Sequence, residues 1–199
     1  MIDFFTRGGL LIYPIVLCSV LGWAIFMERL FAFIKVRRHL KPLSETVKTY
    51  IQEDNLKKAV DLCSDVKSPL ARILLVVLKN SGAKRSYLKS LAEEIGEREA
   101  ASLQRYLGLL GTVANIAPLL GLLGTVLGMI KAFNVIATQG MGTPAALGGG
   151  ISEALITTAA GLTVAVPMLL LHRYLLGRSE RLILELEEET MQIVDLVEE

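Results

Sequence analysis

The sequence predicts an all-α membrane protein with three transmembrane helices and a helical cytoplasmic insert. Three observations predict it. Residues 10–27 and 106–130 carry no Asp, Glu, Lys or Arg, and 145–171 carry only Glu153. Runs of this length are what a helix needs to cross a hydrocarbon core of about 30 Å. Hydrophobic residues make up 52% of the 199 and mean hydropathy is +0.51, high for a soluble domain. The basic residues are unevenly placed: Lys35, Arg37, Arg38, Lys41, Arg98 and Arg105 lie between the first and second runs, and Arg173, Arg178 and Arg181 follow the third. The short loop 137–143, between the second and third spans, has none. Basic residues favour the cytoplasmic side, so the N-terminus is expected outside, with the long insert and the C-terminus in the cytoplasm.

In chain order, residues 1–9, with Phe4 and Phe5, read as an interfacial segment. The first span, 10–34, competes with a signal peptide because Arg7 precedes it. Its length, Trp23 and Phe26 near its end, and the lack of a small-residue cleavage site favour a retained helix. Residues 35–105 read as a cytoplasmic helical domain. Ser44 is a candidate cap for a short helix, and Asp54 for Leu56–Cys63. Ser68 followed by Pro69 is a strong helix start, because proline at the first position loses no needed N–H. That helix is expected to stop at Ser81-Gly82. Ser86 opens the next, with Leu88, Leu91, Ile95, Leu103 and Leu107 at helical spacing. Nothing obvious breaks it before Pro118, so it is expected to merge with the second span, 106–136, into a rod of about 65 Å. A periplasmic loop, 137–143, leads to the third span, 144–176, which Thr143-Pro144 would start. The tail, 177–199, reads as a helix with Leu182, Leu186, Ile193 and Val197 on one side. It is either a solvated acidic helix or one packed on a sister subunit.

The spans hold the candidate site. In the second, Gly121, Gly124 and Gly128 recur every three or four residues and would let another helix approach closely. Thr125 is expected in the same groove, and Pro118 frees a backbone carbonyl. In the third, Glu153 would lie about 14 Å from the helix start and hence near mid-membrane. An ionisable residue there normally faces a bundle interior or a wet path. Thr157 is one turn on, while Thr158 shares a face with Ala154, Gly161 and Ala165. Burial would favour a neutral Glu153 unless a cation or donors compensate. No intramembrane cation is evident, Lys131 ending the second span. Glu153 is therefore an inter-helix clamp or part of a proton path.

Other chemistry is not indicated. The net charge of +1 gives no nucleic-acid signature. Cys18 and Cys63 fall in dissimilar segments and do not read as a disulfide pair; His39 and His172 lack metal-ligand spacing. The glycines lack the Gly-Lys-Ser/Thr ending of a phosphate loop. No nucleophile–base constellation points to an enzyme, and no cofactor or metal is expected. Inverted repeats, expected of a secondary transporter, are not evident.

Residues 117–133 (APLLGLLGTVLGMIKAF) and 150–167 (GISEALITTAAGLTVAVP) resemble the ExbB/TolQ/MotA proton-channel family, most of all its ExbB and TolQ branches. The resemblance is specific over about 106–175 and extends to the rest as layout. It implies a homopentamer in the bacterial inner membrane. Its pore would enclose the helices of an ExbD- or TolR-like single-span dimer. Protons are the coupling ion, and work passes to TonB, or to TolA and its relatives. It gives Thr125, Glu153 and Thr158 pathway or pore-lining roles, and places Pro118 and Pro167 at helix breaks. Thr157 stands where relatives often carry alanine, so its role is left open. The chief proton-carrying aspartate of the family belongs to the partner. ExbB-like energising of outer-membrane transport, TolQ-like envelope constriction, and gliding or flagellar stators share this mechanism. A passive scaffold is the reading from another class.

Overall fold

The computed structural model describes residues 9–139 and 144–198. Every regular element among them is helical: α1 Ile12–Gln52, α2 Leu56–Asp65, α3 Pro69–Lys79, α4 Arg85–Gln104, α5 Leu107–Gln139 and α6 Pro144–Glu198. Three of the helical stretches are long and apolar enough to cross a membrane. The chain divides into two compact units, one of Met1–Glu28 with Tyr106–Leu175, the other of Arg29–Arg105 with Leu176–Glu199.

The first unit contains the span segments of α1, α5 and α6. Its interior is made from Ile12, Ile15 and Phe26 of α1, Leu110, Val113, Ala114 and Ala117 of α5, and Ala154, Ala165 and Met168 of α6. Small residues dominate on α5 and α6, because lipid offers no hydrophobic drive and close van der Waals packing must hold the helices. Large apolar side chains such as Leu119, Leu122, Leu155, Leu162 and Leu170 point outward. In water such a surface would be a liability; against acyl chains it is the lowest-energy face. Pro14 lies in the first turn of α1, where no N–H is needed. Pro118 and Pro167 stand inside α5 and α6, which run through both. The expected breaks do not occur.

The second unit packs as a helical domain around an apolar core. α3 lies against both α2 and α4. Ile73 and Val77 of α3, Leu88 and Ala92 of α4 and Val194 of α6 form its core, with Ile95, Met191 and Val197 against them. The acidic tail therefore buries its apolar stripe within its own chain, where the sequence left a solvated helix or a sister subunit as the choices. Across the same unit Ser44 of α1 donates to Glu189 of α6, and Lys48 pairs with Glu189 at 2.6 Å and donates to Gln192 at 2.6 Å. Burial alone would push the Glu189 carboxyl up. The hydrogen bonds from Lys48 and Ser44, with the charges of Lys48 and Lys41, outweigh it and hold the carboxyl below its usual range. Burial pushes the Cys63 thiol up to about 11, so it stays an unreactive thiol. Both cysteines are free.

Caps and junctions test the local expectations. Ser68 caps α3, its hydroxyl accepting from the Ala71 N–H at 3.1 Å, with Pro69 at the first position. α3 ends at Lys79 with Asn80 as C-cap, ahead of Ser81-Gly82. Ser44 starts no helix; it is buried inside α1, which continues unbroken through Pro42. Asp54 takes a left-handed φ of 55° in the connection, and Asn55 occupies the N-cap of α2. α4 opens at Arg85 after Lys84, without a side-chain cap. The expected single rod is interrupted, because Arg105 has ψ 138° and Tyr106 has φ 68°, which no helix accommodates. Residues 137–139 of the expected loop belong to α5; Thr143 lies outside the described residues.

Candidate functional site

The site grows from the absence of side chains. α5 and α6 run antiparallel, and four buried glycines bring their backbones together. A Cβ built on Gly161 would fall 2.6 Å from the Ala117 carbonyl oxygen, and one on Gly128 would fall 2.6 Å from that of Gly150. One on Gly121 would stand 3.1 Å from the Thr158 Cα, and one on Gly124 2.5 Å from the Thr157 methyl. At Gly128 and Gly161 a larger residue would meet backbone and push the helices apart, and at Gly121 and Gly124 the facing threonines would have to give way.

This approach places the threonines. Thr158 donates its hydroxyl across the seam to the Gly121 carbonyl at 2.9 Å, linking the two helices. Thr157 is buried against Gly124, and its hydroxyl donates to the Glu153 carbonyl one turn back at 2.7 Å. Thr125 is half-buried at the edge of the glycine face, and its hydroxyl turns to the Leu122 carbonyl of its own helix at 2.6 Å. The seam thus gathers Gly121, Gly124, Gly128, Gly161, Thr157 and Thr158. It leaves Thr125 at its margin, Pro118 half-buried and Pro167 exposed.

Glu153 closes one end of the seam, and it has a cation. Lys131 of α5 reaches its Oε1 at 2.6 Å, the side chains being 58% and 22% exposed. The sequence pointed to Glu153 without a partner. The antiparallel register supplies one, because two residues far apart in the chain come to the same level. Gly9, at φ 68°, sits directly behind the carboxylate: a Cβ there would lie 1.9 Å from Oε1. Lys131, Gly9 and Gly150 are the site residues that sequence reasoning missed. Lys131 alone left a signal, as the single charge between Arg105 and Glu153.

The same contacts set the depth of Glu153. From it, residues 154–171 run uncharged to His172 and Arg173, about 27 Å at 1.5 Å per residue. From Gly9, residues 10–27 run uncharged to Glu28 and Arg29, again about 27 Å. His172 packs beside Gly111 of α5 at the far end. Both stretches nearly fill a hydrocarbon core of about 30 Å. Glu153 and Lys131 therefore mark a boundary of the uncharged slab, where the expectation was mid-membrane. The first turns of α6 extend past the start of α1, so distance from the helix start is a poor measure of depth.

Chemically, the site offers an ion pair at one end of a tight, hydroxyl-bearing seam. Among the described residues no cluster of three His, Cys, Asp or Glu could hold a metal.

Comparison with known proteins agrees with this layout. Residues 65–188 match the family described as the MotA/TolQ/ExbB proton channel family. The chain is 34% identical over 181 residues to the putative biopolymer transport protein ExbB-like 1 of Synechocystis, covering 89% of this chain and 71% of that one. It is 29% identical over 179 residues to a putative ExbB homolog of Methanothermobacter thermautotrophicus, covering 89% of this chain but 63% of that longer relative. It is also 29% identical over 185 residues to the Tol-Pal system protein TolQ of Pseudomonas aeruginosa, covering 87% of this chain and 80% of that one.

Proposed function

This chain belongs to the MotA/TolQ/ExbB proton channel family, and we propose that it is the ExbB-like subunit of a motor driven by the proton-motive force. In this reading it sits in the inner membrane with its N-terminus outside. It forms a homopentamer around an ExbD- or TolR-like single-span dimer and energises TonB-dependent outer-membrane transport. The coupling ion is the proton. A charge crossing 100 mV releases about 2.3 kcal/mol, so repeated transfers can drive mechanical steps. The observation that carries the reading is the α5–α6 seam, with Glu153 at its end and Thr157 and Thr158 along it. Ionisable residues on membrane-spanning helices normally pair with one another and mark ion or proton paths. Thr125, Glu153, Thr157 and Thr158 are then pathway-lining, and the partner carries the principal proton-binding carboxylate. A TolQ-like role in envelope integrity is the second reading, favoured by the similarity to a TolQ.

The test is a native mass measurement of the full chain, alone and co-expressed with a single-span partner bearing an aspartate in its span. A pentamer that captures two partner copies is the expected result. A monomer or dimer without partner uptake overturns the motor. In the assembled complex, Glu153→Ala and Thr158→Val are expected to abolish energised function while leaving the oligomer intact. Loss of TonB-dependent uptake without a constriction defect separates the first reading from the second.

A further inference from the structure

The ion pair at the end of the seam has no role in the scheme above, and its surroundings are specific. Lys131 is the only charged side chain on α5, and its Nζ lies 2.6 Å from Glu153 Oε1. Behind the carboxylate Gly9 leaves no room: its φ of 68° is one that side chains rarely adopt, and a Cβ would overlap Oε1. Residues 10–27, 106–130 and 154–171 of the three packed segments contribute no Asp, Glu, Lys, Arg or His; their other titratable groups are Tyr13, Cys18 and Tyr106. Asp3 and Arg7, which precede Gly9, lie outside the described residues. Among the described residues the counter-charge of this carboxylate is Lys131.

We propose that Lys131 is a positioning residue for Glu153. Its ammonium holds the carboxylate against the Gly9 backbone at the boundary of the apolar slab. The carboxylate leaves that wall for the path only when Lys131 is drawn away. The pair is thus a latch at the mouth of the path, released by any group that competes for the lysine. This rests on the reading of Glu153 as pathway-lining. It adds a cation and a backbone wall that the conducting scheme does not need.

The test reads the carboxyl directly. A hydrophobic carbodiimide, dicyclohexylcarbodiimide, modifies carboxyls that reach the apolar phase, and the Glu153 peptide can be followed by mass. Lys131→Met, which frees the carboxylate from its anchor, is expected to label several-fold faster than the parent. Lys131→Arg, which keeps the charge, is expected to label as the parent does. Gly9→Ala, which displaces the carboxylate, is expected to label faster. Equal rates in the parent and Lys131→Met overturn the latch, as does Lys131→Arg behaving like the methionine variant. Should Lys131→Met fail to fold, the exchanged pair Lys131→Glu with Glu153→Lys decides. Recovery of the parent oligomer supports mutual charge pairing, and failure of the exchange to do better than Glu153→Lys alone overturns it. Labelling is read on the chain without a partner. Loss of proton flux in the complex therefore strikes the motor reading alone, and unchanged labelling with flux retained strikes the latch alone.

Discussion

The α5–α6 seam and the second unit are both helix packings, and they are held by opposite means. In the seam, contact is backbone on backbone at Gly121, Gly128 and Gly161, with the hydroxyl of Thr158 crossing between helices. In the second unit, large side chains fill the centre and charges ring it. Leu88 and Val77 are fully buried, Arg72 is paired with Glu99 and Arg85 with Asp195. The difference follows from the surroundings. Water drives large apolar groups together and solvates the charges around them. Lipid does neither, so close packing of small residues must supply the attraction.

Removal of volume and addition of volume should therefore act on different regions. The largest effect is expected from Leu88→Ala. It empties a packed site and should cost about 2–5 kcal/mol, seen as faster hydrogen exchange in α4 and the α6 tail while the seam stays protected. Loss of protection in α5 as well would mean that the two regions are not separate in energy. Next is Gly161→Ala, where a methyl meets the Ala117 carbonyl. Overpacking of this kind costs about 1–3 kcal/mol, read as a lower unfolding midpoint in detergent. Gly177 lies in the same helix with open space around it, and Gly177→Ala is expected to raise that midpoint, by up to about 1 kcal/mol of helix propensity. The same sign at both positions would break the contrast.

The smallest effect concerns pH. The Glu189 carboxyl is held below the usual value of 4.5 in the folded chain. A lowered folded value means that its stabilisation is present above the unfolded value and fades as pH falls through the folded one. The advantage of the parent over Glu189→Gln, about 1 kcal/mol, should be complete at neutral pH and vanish in acid. A difference that persists unchanged in acid would show that the Lys48 and Ser44 contacts act by shape and not by charge.

How much of this was legible beforehand varied with the range of the interactions. The three spans were legible because an uncharged run of that length has few other uses. The Ser68-Pro69 start was legible because a cap and a first-position proline act within one turn. Glu153 and the glycines stood out because each is costly in an apolar helix unless something close by justifies it. The turn at Arg105-Tyr106 was not, since neither glycine, proline nor asparagine marks it and a tyrosine is held at positive φ by its surroundings. Ser44 carries cap chemistry that its tertiary bond to Glu189 redirected, and Asp54 carries cap chemistry that a left-handed turn left unused. The docking of the tail and the pairing of Lys131 with Glu153 depend on which helices meet and in what register, information that no local window holds.

Contacts built from side chains have slack, because each rotamer is a slightly different shape and hops between them absorb small displacements. Where Gly128 meets Gly150 there is no rotamer to hop. The two helices are joined there with almost no play, and they move as a single piece. Whatever relative motion a working assembly performs is confined to other surfaces, such as the faces bearing Leu119, Leu122, Leu155 and Leu162, where side chains remain free to slide.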